Sequence, residues 1–155
     1  MGDSLITIIA IILAAVLMFV FPLMAMSDRT DDVTQLAVKT ATTDFVDTVR
    51  TTGKLTSDNY SKFVENINST GNTYDVEMEV KVLDENPGKK TSQTATEKIG
   101  ENVYYSMYTS QILEALGKNN NNAVLALKEG DYFIASVKNT NTTLSQQLKN
   151  FFYTV

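Results

Sequence analysis

Three groups of residues have the types and spacing that chemistry would need. Asp75, Glu77 and Glu79 recur at every second position, Asp28, Asp31 and Asp32 fall within about one helical turn, and several Ser and Thr hydroxyls stand near lysines. Paired carboxylates act as acid and base in glycoside hydrolysis. Clustered carboxylates hold Ca²⁺, and a hydroxyl becomes a nucleophile beside a base. The chain has no Cys and no His, which removes disulfides, thiol nucleophiles, imidazole bases and nearly all zinc or copper sites. No Ser–Lys or Thr–Lys pair lies in a recognisable motif. The seven glycines are scattered as caps and turns, so no loop is built to cradle a phosphate. These absences give the expectation of a protein that is not an enzyme and takes no cofactor.

The elements that carry the acids point the same way. Tyr74 to Leu83 alternates strictly, with Tyr74, Val76, Met78, Val80 and Val82 on one side and Asp75, Glu77, Glu79 and Lys81 on the other. A period of two predicts a half-buried strand whose carboxylates form its solvated face. Asp28, Arg29, Asp31 and Asp32 come immediately after an apolar run and read as interfacial charges, with Ca²⁺ held jointly with a neighbouring subunit as the alternative.

That apolar run, Leu5 to Met26, organises the chain. It has 22 residues, of which only Thr7 and Pro22 are not apolar, and no charge. At about 1.5 Å per residue it makes a helix roughly 33 Å long, enough to cross a hydrocarbon core of about 30 Å. Three readings compete for it. A secretory signal peptide needs a basic start and an apolar core of roughly 7–15 residues, whereas Met1-Gly2-Asp3-Ser4 has no Lys or Arg and the run is longer. A single transmembrane anchor fits the length, and its short tail, which offers only Asp3 and the terminal amine, is the easier side to leave in the cytoplasm, with the polar domain outside.

The third reading comes from residues 27–52. No Gly or Pro interrupts them, and Val33, Leu36, Ala37, Thr40, Ala41, Asp44, Phe45 and Thr48 have the spacing of an amphipathic helix. The two halves therefore join, with Leu5 to Arg50 as one helix about 69 Å long. Pro22 cannot donate to the carbonyl of Met18 and its ring crowds that turn, so a kink or local unwinding is expected there. Ala10 and Ala14 form a small-xxx-small pair that permits close helix approach.

Behind the long helix, Gly53 is its stop, Thr56 an N-cap with Leu55 stapled on Tyr60, and Tyr60, Phe63, Val64 and Ile67 one face of a second helix closed by Gly71. Asn86-Pro87-Gly88 ends the alternating strand, and Ile99 to Tyr105 is a candidate partner strand. A third helix is expected from about Ser106 or Thr109 to Leu116, with Tyr108, Ile112 and Leu116 stacked. Tyr104, Tyr105 and Tyr108 read as core or interface anchors. Ala123 to Leu127 and Tyr132 to Val137 flank Lys128-Glu129-Gly130-Asp131 and read as a hairpin. Thr143 and Gln146 form a capping-box pattern ahead of a helix with Leu144, Leu148, Phe151 and Phe152 on one face.

The sum is an α+β fold: a long N-terminal helix, apolar half then amphipathic half with a proline break, packed on a small antiparallel sheet with short helices. The expected division is 1–27 as an apolar membrane or filament-core helix and 28–155 as an extracytoplasmic head that begins with the amphipathic half. A chain of 155 residues with a formal charge of −5 has room for one modest core, and its lack of a basic run argues against nucleic acid as a partner. Its 20 Thr and 13 Asn suit an exported surface protein.

A two-part N-terminal helix with Pro22 and a small head resembles type IV pilins and pseudopilins. Gly130-Asp131-Tyr132-Phe133 and Val137-Lys138-Asn139 look like segments of the pilin-type proteins of tight-adherence (Tad-like) export systems. The resemblance implies a structural subunit of a bacterial cell-surface filament or fimbrium. Such a subunit is held in the cytoplasmic membrane before assembly, handed on by a pilus assembly or export machinery, and then polymerised with copies of itself into an adhesive helical homopolymer. Asp3, Leu5, Ala10, Ala14, Leu17 and Pro22 would then lie in the filament core. The family's glutamate at the fifth mature position is replaced by Leu5, or by Thr7 if processing followed Gly2, which leaves Asp3 as the acid available to a neighbouring subunit. The alternative is a single-span, membrane-anchored extracytoplasmic binding module, with the hairpin tip and Asn119 to Asn122 as candidate surfaces.

Overall fold

The computed structural model describes residues 2–84, 104–117 and 123–153, with side chains placed up to Asn150. The expected turn at Asn86-Pro87-Gly88 and the asparagine run lie outside the described residues. Helix α1 (Gly2–Thr52) is followed by β1 (Lys54–Thr56), α2 (Ser57–Asn68), β2 (Tyr74–Leu83), β3 (Tyr104–Tyr108), α3 (Thr109–Gly117), β4 (Val124–Ala126), β5 (Tyr132–Asn139) and α4 (Leu144–Tyr153). The result is the expected α+β layout, a long N-terminal helix packed on a small antiparallel sheet with short helices. The chain forms two compact units, residues 1–37 with 141–155 and residues 38–140.

In the unit of residues 38–140, β2 is the middle strand of an antiparallel sheet ordered β3-β2-β5. The register pairs Val80 with Met107 and Phe133, Met78 with Ala135, and Val76 with Val137, so one face of the sheet is apolar from Val76 to Val80. The alternation across residues 74–83 is the cause. Helices α1 and α2 join that face in one core: Val38, Phe45 and Val49 of α1, Phe63 and Ile67 of α2, and Met78 and Val80 of β2 are all buried. Phe45 ties three elements together, stacking on Phe63 at 4.4 Å between ring centroids and meeting Phe133 edge-on at 5.7 Å. Ile112 and Leu116 of α3 complete the core.

Local signals act as their chemistry requires. α1 stops at Thr52 because Gly53 takes φ +64°, a left-handed conformation that a Cβ would strain. Thr56 caps α2, its hydroxyl accepting from the Asn59 N–H at 3.1 Å. Threonine is a poor helix former, yet α1 is rich in it. Thr42, Thr43, Thr48 and Thr52 each donate a side-chain hydrogen bond to the carbonyl four residues back, at 2.7–2.9 Å, which satisfies the hydroxyl inside the helix.

Several expectations are corrected. Of the two outcomes expected at Pro22, a kink or local unwinding, the unwinding does not occur: α1 is helical on both sides of the proline. Spacing puts Val33, Leu36, Ala37, Thr40, Asp44 and Thr48 on the buried stripe, yet all six are exposed, Val33 at 68% and Leu36 at 64%; within residues 38–140 the covered face of α1 runs instead from Val38 through Ala41 and Phe45 to Val49. Tyr108 is not stacked on α3. It ends β3 opposite Glu79 and is exposed, as is Tyr105.

The hairpin is corrected as well. The turn forms, with the Asp131 N–H donating to the Lys128 carbonyl at 3.1 Å and Gly130 at φ +95°. Its flanking strands nevertheless part company. β4 pairs with β1 in a separate two-stranded sheet, Leu55 opposite Leu125, whereas β5 pairs with β2. The Asp131 carboxylate explains the divergence: it accepts from the Lys128 N–H and from the Leu83 N–H, both at 2.8 Å, and so fixes the turn to the end of β2.

Candidate functional site

Three places collect chemistry-bearing or exposed groups. The first is the apolar half of α1. Fourteen large apolar side chains between Leu5 and Met26 are exposed, from Val16 at 43% to Phe19 at 75%, and the most apolar window has no buried residue. Leaving such a side chain in water forgoes about 1.5–3 kcal/mol relative to burial, so water is the wrong solvent for this stretch. It is long and apolar enough to cross a membrane. Leu5, Ala10, Ala14, Leu17 and Pro22 all stand exposed on it. Asp3 lies in the first turn of α1, where a carboxylate complements the positive end of the helix dipole, and its carbonyl accepts from the Thr7 hydroxyl at 2.8 Å.

The second place begins two residues past Met26. Asp28 accepts from the Ser145 hydroxyl and from Lys149 Nζ, the latter at 2.7 Å, and Asp31 accepts from the Thr143 hydroxyl at 2.6 Å. Ser27, Thr143 and Ser145 are buried around these contacts. The capping box expected at Thr143 forms: the Gln146 N–H points to the Thr143 hydroxyl at 3.4 Å, and the Thr143 N–H to the Gln146 side chain at 3.3 Å. Thr143 thus serves both its own helix and Asp31. The Lys149 ammonium and the Ser145 hydroxyl hold the Asp28 carboxyl below the usual carboxylate range. Arg29 and Asp32 are exposed. Of the four candidate interfacial charges, two are therefore tied to α4. Among the described residues no group of three or more acids is placed to hold a metal ion.

Spacing along the chain does not reveal this tie. Ser145 and Lys149, at i and i+4, share one face of α4 and are the local signal for it, but their partners lie 117 and 121 residues away.

The third place is the outer face of the larger sheet. Asp75, Glu77 and Glu79 line a groove of about 590 Å³ with Tyr108, Thr109, Ser110, Ile134 and Ser136. β3 pairs with β2 from Glu79 to Leu83. At the next residue the Thr109 side chain takes over the ladder, accepting from the Met78 N–H at 2.7 Å and donating to its carbonyl at 3.2 Å. Glu79 accepts from the Ser106 hydroxyl at 2.7 Å and has Lys81 at 3.9 Å. These acids are a strand's outward face, as their alternation predicts, and no pair of them is set about a buried reacting position. A smaller hollow of about 200 Å³ between α1 and α2 is lined by Asp44, Lys62, Asn59 and Asn66 over Phe45 and Phe63. Compared with known proteins, the chain matches no family model, no curated protein and no solved structure.

Proposed function

We propose that this protein is a non-enzymatic structural subunit of an extracellular type IV-like filament, held in the cytoplasmic membrane by the apolar half of α1 before assembly. The observation that carries the reading is the charge-free run Leu5 to Met26, exposed at every residue but the half-buried Val20 and Met24 and helically continuous with a segment built into the head's core. Such a run needs an apolar solvent on all sides. A bilayer provides one, and a bundle of identical helices in a filament core provides another. Contacts between unlike faces of identical subunits generate a helix rather than a closed ring.

In this reading Ala10 and Ala14 admit neighbouring helices and Asp3 is the acid that aligns one subunit on the next. A second reading, an anchored extracytoplasmic binding module, draws support from the acidic groove beside β2 and α3. Electron microscopy of cell-surface material distinguishes the two. The filament reading expects polymers that contain the intact N-terminal helix, and fewer or shorter ones for Asp3→Ala with the subunit level unchanged. A chain that remains a monodisperse detergent-solubilised monomer under export conditions would refute it.

A further inference from the structure

Helix α4 is anchored to α1 at its N-terminal end, and its course is given by the order of its contacts. Thr143 meets Asp31, and Ser145 and Lys149 both meet Asp28. Moving forward along α4 means moving back along α1, so the two helices run antiparallel and the last turn of α4 heads towards the apolar run. The burial of α1 in this unit agrees. Val20 and Met24 are half-buried while their neighbours are exposed, and with Ser27, Asp28 and Asp31 they recur at i, i+4, i+7, i+8 and i+11, one face of the helix. Val20 and Met24 belong to the stretch built for lipid. Val20 lies about 9 Å below Met26 along the axis, a depth that matches the 5–10 Å to which interfacial helices bury an apolar face.

The composition of α4 suits that position. Lys149 is its only charged residue, Leu144 is 55% exposed, and the last turn reads Phe151-Phe152-Tyr153. Aromatic residues concentrate at the boundary between headgroups and acyl chains. The single cation is the residue held by Asp28, so no net charge opposes entry of the turn beyond it.

We propose that α4 is a membrane-dipping helix whose last turn sits in the headgroup and acyl boundary of the same bilayer that α1 crosses, positioned there by the Asp28 and Asp31 contacts. The inference rests on the membrane reading of Leu5 to Met26, and the experiment separates the two. The chain has no Trp, so a single introduced one reports its own surroundings. The full-length chain is reconstituted in phosphatidylcholine and phosphatidylglycerol vesicles with Trp at one position, and emission is compared with and without phosphatidylcholine brominated on its acyl chains. Leu13→Trp reports the span, Thr48→Trp the aqueous head and Tyr153→Trp the last turn of α4.

The expected result is quenching and a blue-shifted emission for Leu13→Trp and Tyr153→Trp, and neither for Thr48→Trp. Adding Asp28→Asn and Asp31→Asn should relieve the quenching of Tyr153→Trp and leave that of Leu13→Trp unchanged. Tyr153→Trp behaving like Thr48→Trp while Leu13→Trp is quenched overturns the inference alone, as does quenching of Tyr153→Trp that survives the double substitution. An unquenched Leu13→Trp overturns the membrane reading and the inference with it.

Discussion

Asp28 is the residue at which the C-terminal helix is held. Its carboxylate meets both Lys149 and Ser145, and the favourable partners lower its pKa from the ordinary 3.8. That direction fixes the sign of the pH dependence. A carboxylate with a depressed folded pKa contributes its stabilisation above the unfolded value, and that contribution disappears as pH falls through the folded value. The Asp28 contact therefore holds at neutral pH and is lost only in acid below 3.8. Carbon-detected titration of the carboxyl in micelles should place Asp28 below 3.8, and Lys149→Met should move it back up. Titration of the unmodified protein at or above 3.8 would show that the pair does not form. The pair is solvent-exposed, so its value is positional, fixing where α4 starts.

At the scale of elements, the head is held by the face of α1 that begins at Val38. Phe45 packs against rings from α2 and β5, and truncating a buried phenylalanine costs about 3–5 kcal/mol. Val33, 68% exposed, falls among surface substitutions that stay within about 0.5 kcal/mol. Urea unfolding in detergent should separate Phe45→Ala from Val33→Ala by that margin, with Thr56→Ala between them at about 1 kcal/mol for the lost N-cap. Equal effects at positions 33 and 45 would restore the stripe expected from spacing alone.

That stripe also shows where local signals end. Gly53, the Thr56 cap, the β2 alternation and the Thr143–Gln146 box are readable because the interactions close within four residues or keep a fixed period. Spacing could not say which turn of the amphipathic half first meets the sheet. Nor could it say that β4 pairs with β1. Two strands joined by a tight glycine turn satisfy every hairpin signal, and the deciding contact, Asp131 to the Leu83 N–H, crosses 48 residues.

For the whole molecule, the dominant fact is an apolar half-helix that, Val20 and Met24 apart, stands exposed among the described residues. If Leu5 to Met26 is a span, a central charge should expel it, since Arg at the middle of a transmembrane helix costs about 2.5–3.5 kcal/mol on insertion scales. Leu13→Arg should then shift the chain from the vesicle fraction to the aqueous or aggregated fraction in flotation. Unaltered flotation would remove the span from residues 5–26.

Hydropathy, periodicity and short-range hydrogen bonding are properties of neighbouring residues, and for that reason this segment, its helical continuity with residues 27–52, the alternating strand 74–83 and the helix caps were legible in the sequence, whereas the place of that strand in the middle of its sheet was not. Tertiary structure alone decided that Asp28 and Asp31 serve α4 instead of solvent, that β4 and β5 join different sheets, and that the buried face of α1 within the head starts at Val38. Each of those choices depends on which distant surface is available to cover an apolar face or satisfy a polar group, and local spacing carries no information about that.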